Sequence, residues 1–372
     1  MVQQDRLVKE FIELVKVDSE TGNERAIADL LKQKFFELGL QVVEDDSMQR
    51  TGHGAGNLVM TMEATSGKEN HPVIYFTSHM DTVTPGKSIH PSIQGDVIVS
   101  DGTTILGSDD KAGIAAMLEA IRVVNEQQIP HGKVQFLITV GEESGLKGSH
   151  HLQKELLEAE YGYALDSNGP VGDIIVAAPT QAKIHVIVKG KSAHAGVNPE
   201  DGISAIQVAS HAISMMKLGR IDSETTANIG KFQGGTATNI VCDQVEIFAE
   251  ARSLVDEKML KQVEHMRKVF EDAAAKFLAT VDFNYEIMYP AFRFQEDHPL
   301  VIKAIEAITE IGRTPRILAS GGGSDANVIN GYGIPTINLG IGYENIHTTK
   351  EKMPIRELVK TAELVISLMK QN

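Results

Sequence analysis

Apolar positions along the chain recur in two periods, and the way the two alternate predicts the architecture. Leu7, Phe11, Leu14 and Val15 fall at helical spacing. Ile27, Leu30, Leu31, Phe35 and Leu38 repeat it in a second helix, opened by Thr21 and Glu24 at capping-box spacing and stopped by Gly39. Strands are expected at 40–43 and 57–62, followed by continuous apolar runs at 73–76, 134–140, 161–165 and 336–341. Apolar runs rich in β-formers and separated by helices predict an α/β fold, with a mostly parallel central sheet flanked by helices. Between 179 and 293 the pattern changes to strand 183–188, helix 202–218, strands 226–232 and 245–252, helix 257–278 and strand 281–288. That βαββαβ order is ferredoxin-like and complete in itself. It predicts a domain over 179–293, a lid or a dimer surface, inserted into a domain made of 1–178 and 294–372.

The polar residues that end these runs carry the chemistry. His79, Asp81, Glu142, Glu143, Asp166 and His347 each follow a predicted strand, where open α/β sheets collect ligands. In His79-Met80-Asp81 the outer residues share one side of an extended segment. The carboxylate can therefore orient a metal-binding imidazole, or simply close a surface turn. Glu142 and Glu143 are costly together near a buried sheet end unless something positive offsets them, although a solvated helix start also accounts for them. Beside a metal, one Glu can bind while the other accepts a proton from water. Asp109 and Asp110 stand where a loop becomes a helix carrying Ile114, Met117, Leu118 and Ile121, which by itself reads as N-capping. Taken together, these His, Asp and Glu donors suit zinc, manganese or cobalt. A set of His, Asp, Glu, Asp and His, each just past a strand end or at the adjoining helix start, gives five ligands, more than one tetrahedral ion needs, so two ions about 3.5 to 4 Å apart sharing one carboxylate fit better.

Composition narrows the field further. At 372 residues the chain exceeds what one core usually serves. With 50 acidic against 35 basic residues and a net charge of −15, it offers no broad phosphate-binding surface, so nucleic acid is not an expected partner. One cysteine, Cys242, excludes a disulfide framework and any multi-cysteine zinc site. The polar first residues lack an apolar signal region and no run is long enough to span a bilayer, which predicts a cytoplasmic protein with no membrane partner.

His79-Met80-Asp81-Thr82-Val83, Gly107-Ser108-Asp109-Asp110-Lys111-Ala112-Gly113, Gly141-Glu142-Glu143, Asp166, Ser192-Ala193-His194-Ala195-Gly196 and His347, in this order, resemble the co-catalytic zinc peptidases related to peptidase T. The wider family includes glutamate carboxypeptidase, aminoacylase and succinyl-diaminopimelate desuccinylase. The resemblance implies two divalent ions, zinc foremost with cobalt or manganese as alternatives. Asp109 would bridge them, His79 and Asp166 would complete one site, and Glu143 and His347 the other. It makes Glu142 the general base and later acid, and Asp81 the residue that orients His79. His194, Asn239 in Gly234 to Asn239, and Arg252 would contact substrate. Read without the family, His194 is a loop residue in a Gly-rich turn and Arg252 a strand-end ion pair. Ser320 to Ala326 resembles a glycine loop lining the same pocket, with Ser324 where many relatives have threonine. The implied activity is that of a tripeptide aminopeptidase acting on small peptides, as a homodimer formed through the inserted domain. A deacylase of N-acyl amino acids, or a carboxypeptidase or dipeptidase, is the alternative within the fold, and a non-catalytic peptide-binding relative the alternative outside enzymes.

Overall fold

The computed structural model describes all 372 residues and divides into two compact units, one made of 1–177, 294–319 and 324–372, the other of 178–293 with 320–323. In the first unit the sheet runs in the order Gln41–Glu44, Leu58–Met62, Val134–Thr139, Ile74–His79, Tyr161–Ser167, Thr336–Gly340 and Asp173–Ala178, with Arg316–Ala319 also pairing Asp173–Ala178. The four central strands are parallel, and antiparallel pairs flank them. Ile74–His79 and Val134–Thr139 are buried along their whole length, which explains why their sequences show no alternation. Helices Gln4–Val15, Arg25–Glu37, Ser108–Gln127, Pro299–Glu310 and Ile355–Lys370 pack on the sheet through a shared apolar core that includes Leu7, Phe11, Phe35, Phe76, Phe136, Leu364 and Val365.

Two expectations from the sequence are corrected by the fold. Asp166 lies within strand Tyr161–Ser167 rather than beyond it, because pairing with Thr336–Gly340 continues to Ser167. Thr21 and Glu24 form no capping box. Helix Arg25–Glu37 has Glu24 as its N-cap without a side-chain cap, and Thr21 is drawn to Asp81 instead. The short strands Ser92–Gln94, Val97–Val99 and Lys352–Pro354, which form a small separate sheet, are not foreshadowed by the apolar pattern.

The second unit holds strands Thr180–Lys189, Thr225–Gly234, Gln244–Ser253 and Thr280–Tyr289, all antiparallel to their neighbours, and helices Ala205–Met215 and Asp256–Lys276. Its own core joins Val186, Val188, Val208, Ile247, Met266 and Phe270. The alternating burial of Gln244–Ser253 puts Val245, Ile247, Ala249 and Ala251 on the helix-covered face and leaves Glu250 and Arg252 on the other.

Candidate metal centre

Parallel strands deliver their carboxyl ends to the same edge of a sheet, so residues distant in sequence meet there. His79 closes strand Ile74–His79, opposite Thr139 of the next strand. Its Nε2 lies 3.0 Å from Asp109 Oδ1 and 3.8 Å from Asp166 Oδ1. His347, in a left-handed backbone conformation at φ 61°, places its Nε2 3.2 Å from Asp109 Oδ2 and 2.8 Å from Glu143 Oε1. Asp109 therefore turns one carboxylate oxygen toward each histidine. The ligand atoms of His79, Asp109 and Glu143 form one compact group and those of His79, Asp110 and Asp166 another, each with all its atoms within 4.8 Å of one another.

Asp110 does not cap the helix. Asp109 and Asp110 have non-helical φ and ψ, no side chain caps Ser108–Gln127, and the peptide bond between the two aspartates is cis. Asp110 is fully buried, accepts a short hydrogen bond from Ser78 Oγ on Oδ2, and leaves Oδ1 without a hydrogen-bond partner.

Asp81 serves more partners than its neighbour His79. Its carboxylate accepts the backbone N–H groups of Glu142 at 3.0 Å and Glu143 at 3.3 Å, and the Thr21 hydroxyl at 2.5 Å. The oxygen nearest His79 Nδ1 is the Asp81 carbonyl at 2.9 Å, with the carboxylate at 3.5 Å. Asp166 is held from three directions, by Tyr343 Oη donating to its carboxylate at 3.0 Å and by Asn338 bonding both its N–H and its carbonyl. Under the Gly141-to-Ser144 turn lies a buried pair, His53 Nδ1 and Glu24 Oε1 at 2.7 Å, with His53 Nε2 3.3 Å from Ser144 Oγ. Sequence reasoning missed Thr21 in this role, Ser78, Tyr343, Asn338 and the His53–Glu24 pair. Each is an ordinary polar residue whose partner lies far away in the chain.

The electrostatics match a site built for positive charge. Burial raises the carboxyl groups of Asp110, Glu142 and Asp166 well above the usual range, and neighbouring carboxylates add to the shift. Burial also acts to raise Asp109, but hydrogen bonds from His347 and His79 outweigh it and hold that carboxyl low. The Asp109 and Glu143 carboxylates push His347 up to about 10. Carboxylates crowded together at a sheet edge, with one carboxylate shared by two imidazoles, form an oxygen-and-nitrogen donor set that fits divalent cations.

The expected substrate contacts all lie in the second unit. His194 pairs with Ile240 in an isolated bridge, and Ala195 N–H donates to the Asn239 carbonyl, so the His194 and Asn239 segments run side by side. The His194 side chain is exposed and accepts from Gly196 N–H at 3.1 Å. Arg252, on strand Gln244–Ser253, forks onto Glu250 at 2.9 and 3.1 Å and donates to the Gly321 carbonyl at 3.4 Å.

The chain is similar to proteins of known structure over its whole length. A Bacillus cereus aminopeptidase PepT superimposes with a TM-score of 0.94 at 60% identity, covering 100% of this chain and 99% of that one. A Staphylococcus aureus tripeptidase does so with a TM-score of 0.97 at 50% identity, again over 100% and 99%. The fold also matches a Bacillus subtilis protein described as a dinuclear metal-binding peptidase, with a TM-score of 0.75 at 20% identity over 99% and 98% of the two chains. Residues 75–371 match the profile of peptidase family M20/M25/M40, and the chain belongs to that family.

Proposed function

We propose that this chain is a metal-dependent aminopeptidase that removes the N-terminal residue of tripeptides. The observation that carries the reading is Asp109, with one carboxylate oxygen toward His79 and the other toward His347, in a chain 60% identical over its whole length to an aminopeptidase PepT. His79, Asp166 and Asp109 would hold one divalent ion, and Asp109, Glu143 and His347 a second. Zinc is the ion this donor set favours, with cobalt and manganese able to replace it. Two ions there would supply Lewis acidity toward the scissile carbonyl and lower the pKa of water.

The chain's own residues do the rest. The Asp81 carbonyl fixes the His79 tautomer by accepting from Nδ1, which leaves Nε2 free as a donor atom. The Asp81 carboxylate holds the N–H groups of Glu142 and Glu143, so the two glutamates are carried on one braced turn. Glu142 takes the proton of the attacking water and returns it to the leaving amine. Burial first, and then Asp166, shifts its carboxyl upward in the metal-free chain. In the inserted unit, whose βαββαβ order supports a ferredoxin-like reading, His194, Asn239 and Arg252 are the substrate contacts. The Arg252 guanidinium presents a fork suited to a peptide carboxylate once Glu250 is displaced.

The test is an assay of protein reconstituted with zinc, cobalt or manganese. Tripeptides, dipeptides and acetyl- or succinyl-amino acids are offered side by side. Preferential release of the N-terminal residue from tripeptides is expected. Cleavage of the acylated compounds alone would replace this reading with that of a deacylase.

A further inference from the structure

Glu351 lies four residues beyond His347 in a polar loop, is 1% exposed, and belongs to no helix or strand. Its carboxylate accepts four hydrogen bonds from consecutive residues of the segment that carries Asp109. Oε2 takes Leu106 N–H at 2.7 Å and Gly107 N–H at 2.8 Å, and Oε1 takes Ser108 Oγ at 2.6 Å and Asp109 N–H at 3.0 Å. A carboxylate has about four acceptor positions, so this one is fully used. The left-handed Gly107, at φ 74°, lets neighbouring N–H groups converge on one anion, as in the backbone nests that bind phosphates. Here the anion comes from the chain itself, 242 residues after Asp109.

Asp109 and His347 face each other at 3.2 Å from segments whose adjoining strands, Val97–Val99 and Lys352–Pro354, pair with each other, and Glu351 ties the two segments together directly at Asp109. Its own loop is anchored by Glu351 N–H donating to the Thr348 carbonyl, by the paired bonds between Glu344 and Lys352, and by strand Lys352–Pro354 on Val97–Val99. We infer that Glu351 is a positioning residue of the metal centre, setting Asp109 against His347 before any ion binds and thereby governing affinity at the Asp109–Glu143–His347 position.

This inference rests on the two-ion reading above, and the two can fail separately. Metal-stripped protein is titrated with zinc by calorimetry and by competition with a chelator of known affinity. The wild type should bind two ions, and binding of fewer by a folded wild type would remove the two-ion reading itself. Glu351→Gln keeps the side chain's size but sets an amide NH₂ against backbone N–H donors. It should weaken one ion by roughly 10- to 100-fold and leave the other within a few-fold, the range seen when a partner of a metal ligand is lost. A role confined to folding would instead lower the melting temperature of the metal-free variant and leave both affinities of the folded protein unchanged, and that result overturns the inference. If Glu351→Gln does not fold, Ser108→Ala removes one of the four donors and carries the same measurement. A several-fold weaker ion at one position supports the assignment, and two unaltered affinities refute it.

Discussion

Asp109 and Asp110 are adjacent, of one residue type and both buried, yet their surroundings give them separate roles. Asp109 directs its two oxygens at two different imidazoles, whereas Asp110 meets Ser78 and lies near His79 and Asp166 on one side only. Asp109→Ala should therefore remove both ions by elemental analysis. Asp110→Ala should retain two, with the ion nearest His79 and Asp166 weakened by about tenfold. Equal losses in the two variants would contradict the division. Glu142→Gln should keep both ions while turnover falls by about 10²- to 10⁴-fold, the share a positioned acid-base group typically supplies. Normal turnover in that variant would exclude Glu142 as the proton carrier. Near-identical local chemistry made the aspartate pair legible in the sequence as a candidate site. Which of the two is shared could not be read from their spacing, because that depends on histidines 30 positions before Asp109 and 238 after it.

Among the elements, the convergence of His79, Glu142, Glu143 and Asp166 follows from parallel strands ending at one edge, and the apolar runs announced those strands. The turn after Val134–Thr139 was less legible. Gly141 adopts φ 59°, and a Cβ there would lie 2.3 Å from the His53 ring, which the buried Glu24 holds in place. Gly141→Ala combines a left-handed backbone cost with a clash against a ring that cannot yield. It should destabilise the metal-free protein by about 2 to 4 kcal/mol, read from the midpoint of urea unfolding. A change below about 0.5 kcal/mol, the range of an inconsequential surface substitution, would mean that the turn relaxes freely. Thr21 behaves in the opposite way to these strands. Its spacing to Glu24 satisfies a helix-cap pattern, but its hydroxyl goes to the buried Asp81 carboxylate while the buried Glu24 carboxylate takes His53 and Gly54 N–H, so the tertiary contacts prevailed.

For the molecule as a whole, the balance of charge and the exposed apolar surface lead to two expectations. Burial first, and neighbouring carboxylates after it, disfavour the charged forms of Glu142 and Asp166, so divalent ions offset a cost that the chain alone bears. A chelator should abolish activity and lower the melting temperature, and zinc, cobalt or manganese should restore both. At a free concentration of 100 times its dissociation constant, an ion adds about 2.7 kcal/mol. Full activity in metal-free protein would overturn the assignment. On the inserted unit Val197 is 75% exposed, Met215 64% and Ile240 45%, apolar side chains that an interface would cover. We expect a homodimer through that unit, with twice the 40.4 kDa mass of the chain in sedimentation equilibrium. A single-chain mass at micromolar concentration would dismiss it. No helix of the chain is long and apolar enough to cross a membrane.

The kind of chemistry and most of the sheet were written in the order of residues alone. Ligand type belongs to the side chain, and a continuous apolar run ending in a polar residue is a local pattern. How the ligands divide their work, and what braces them, emerged only when the chain was folded. Asp109's two oxygens, Asp81's hold on the Glu142–Glu143 turn, and the Glu351 carboxylate closing over residues 106–109 all join positions far apart in the chain. Such contacts leave no periodicity to read, because a buried carboxylate finds its donors by proximity in the folded chain.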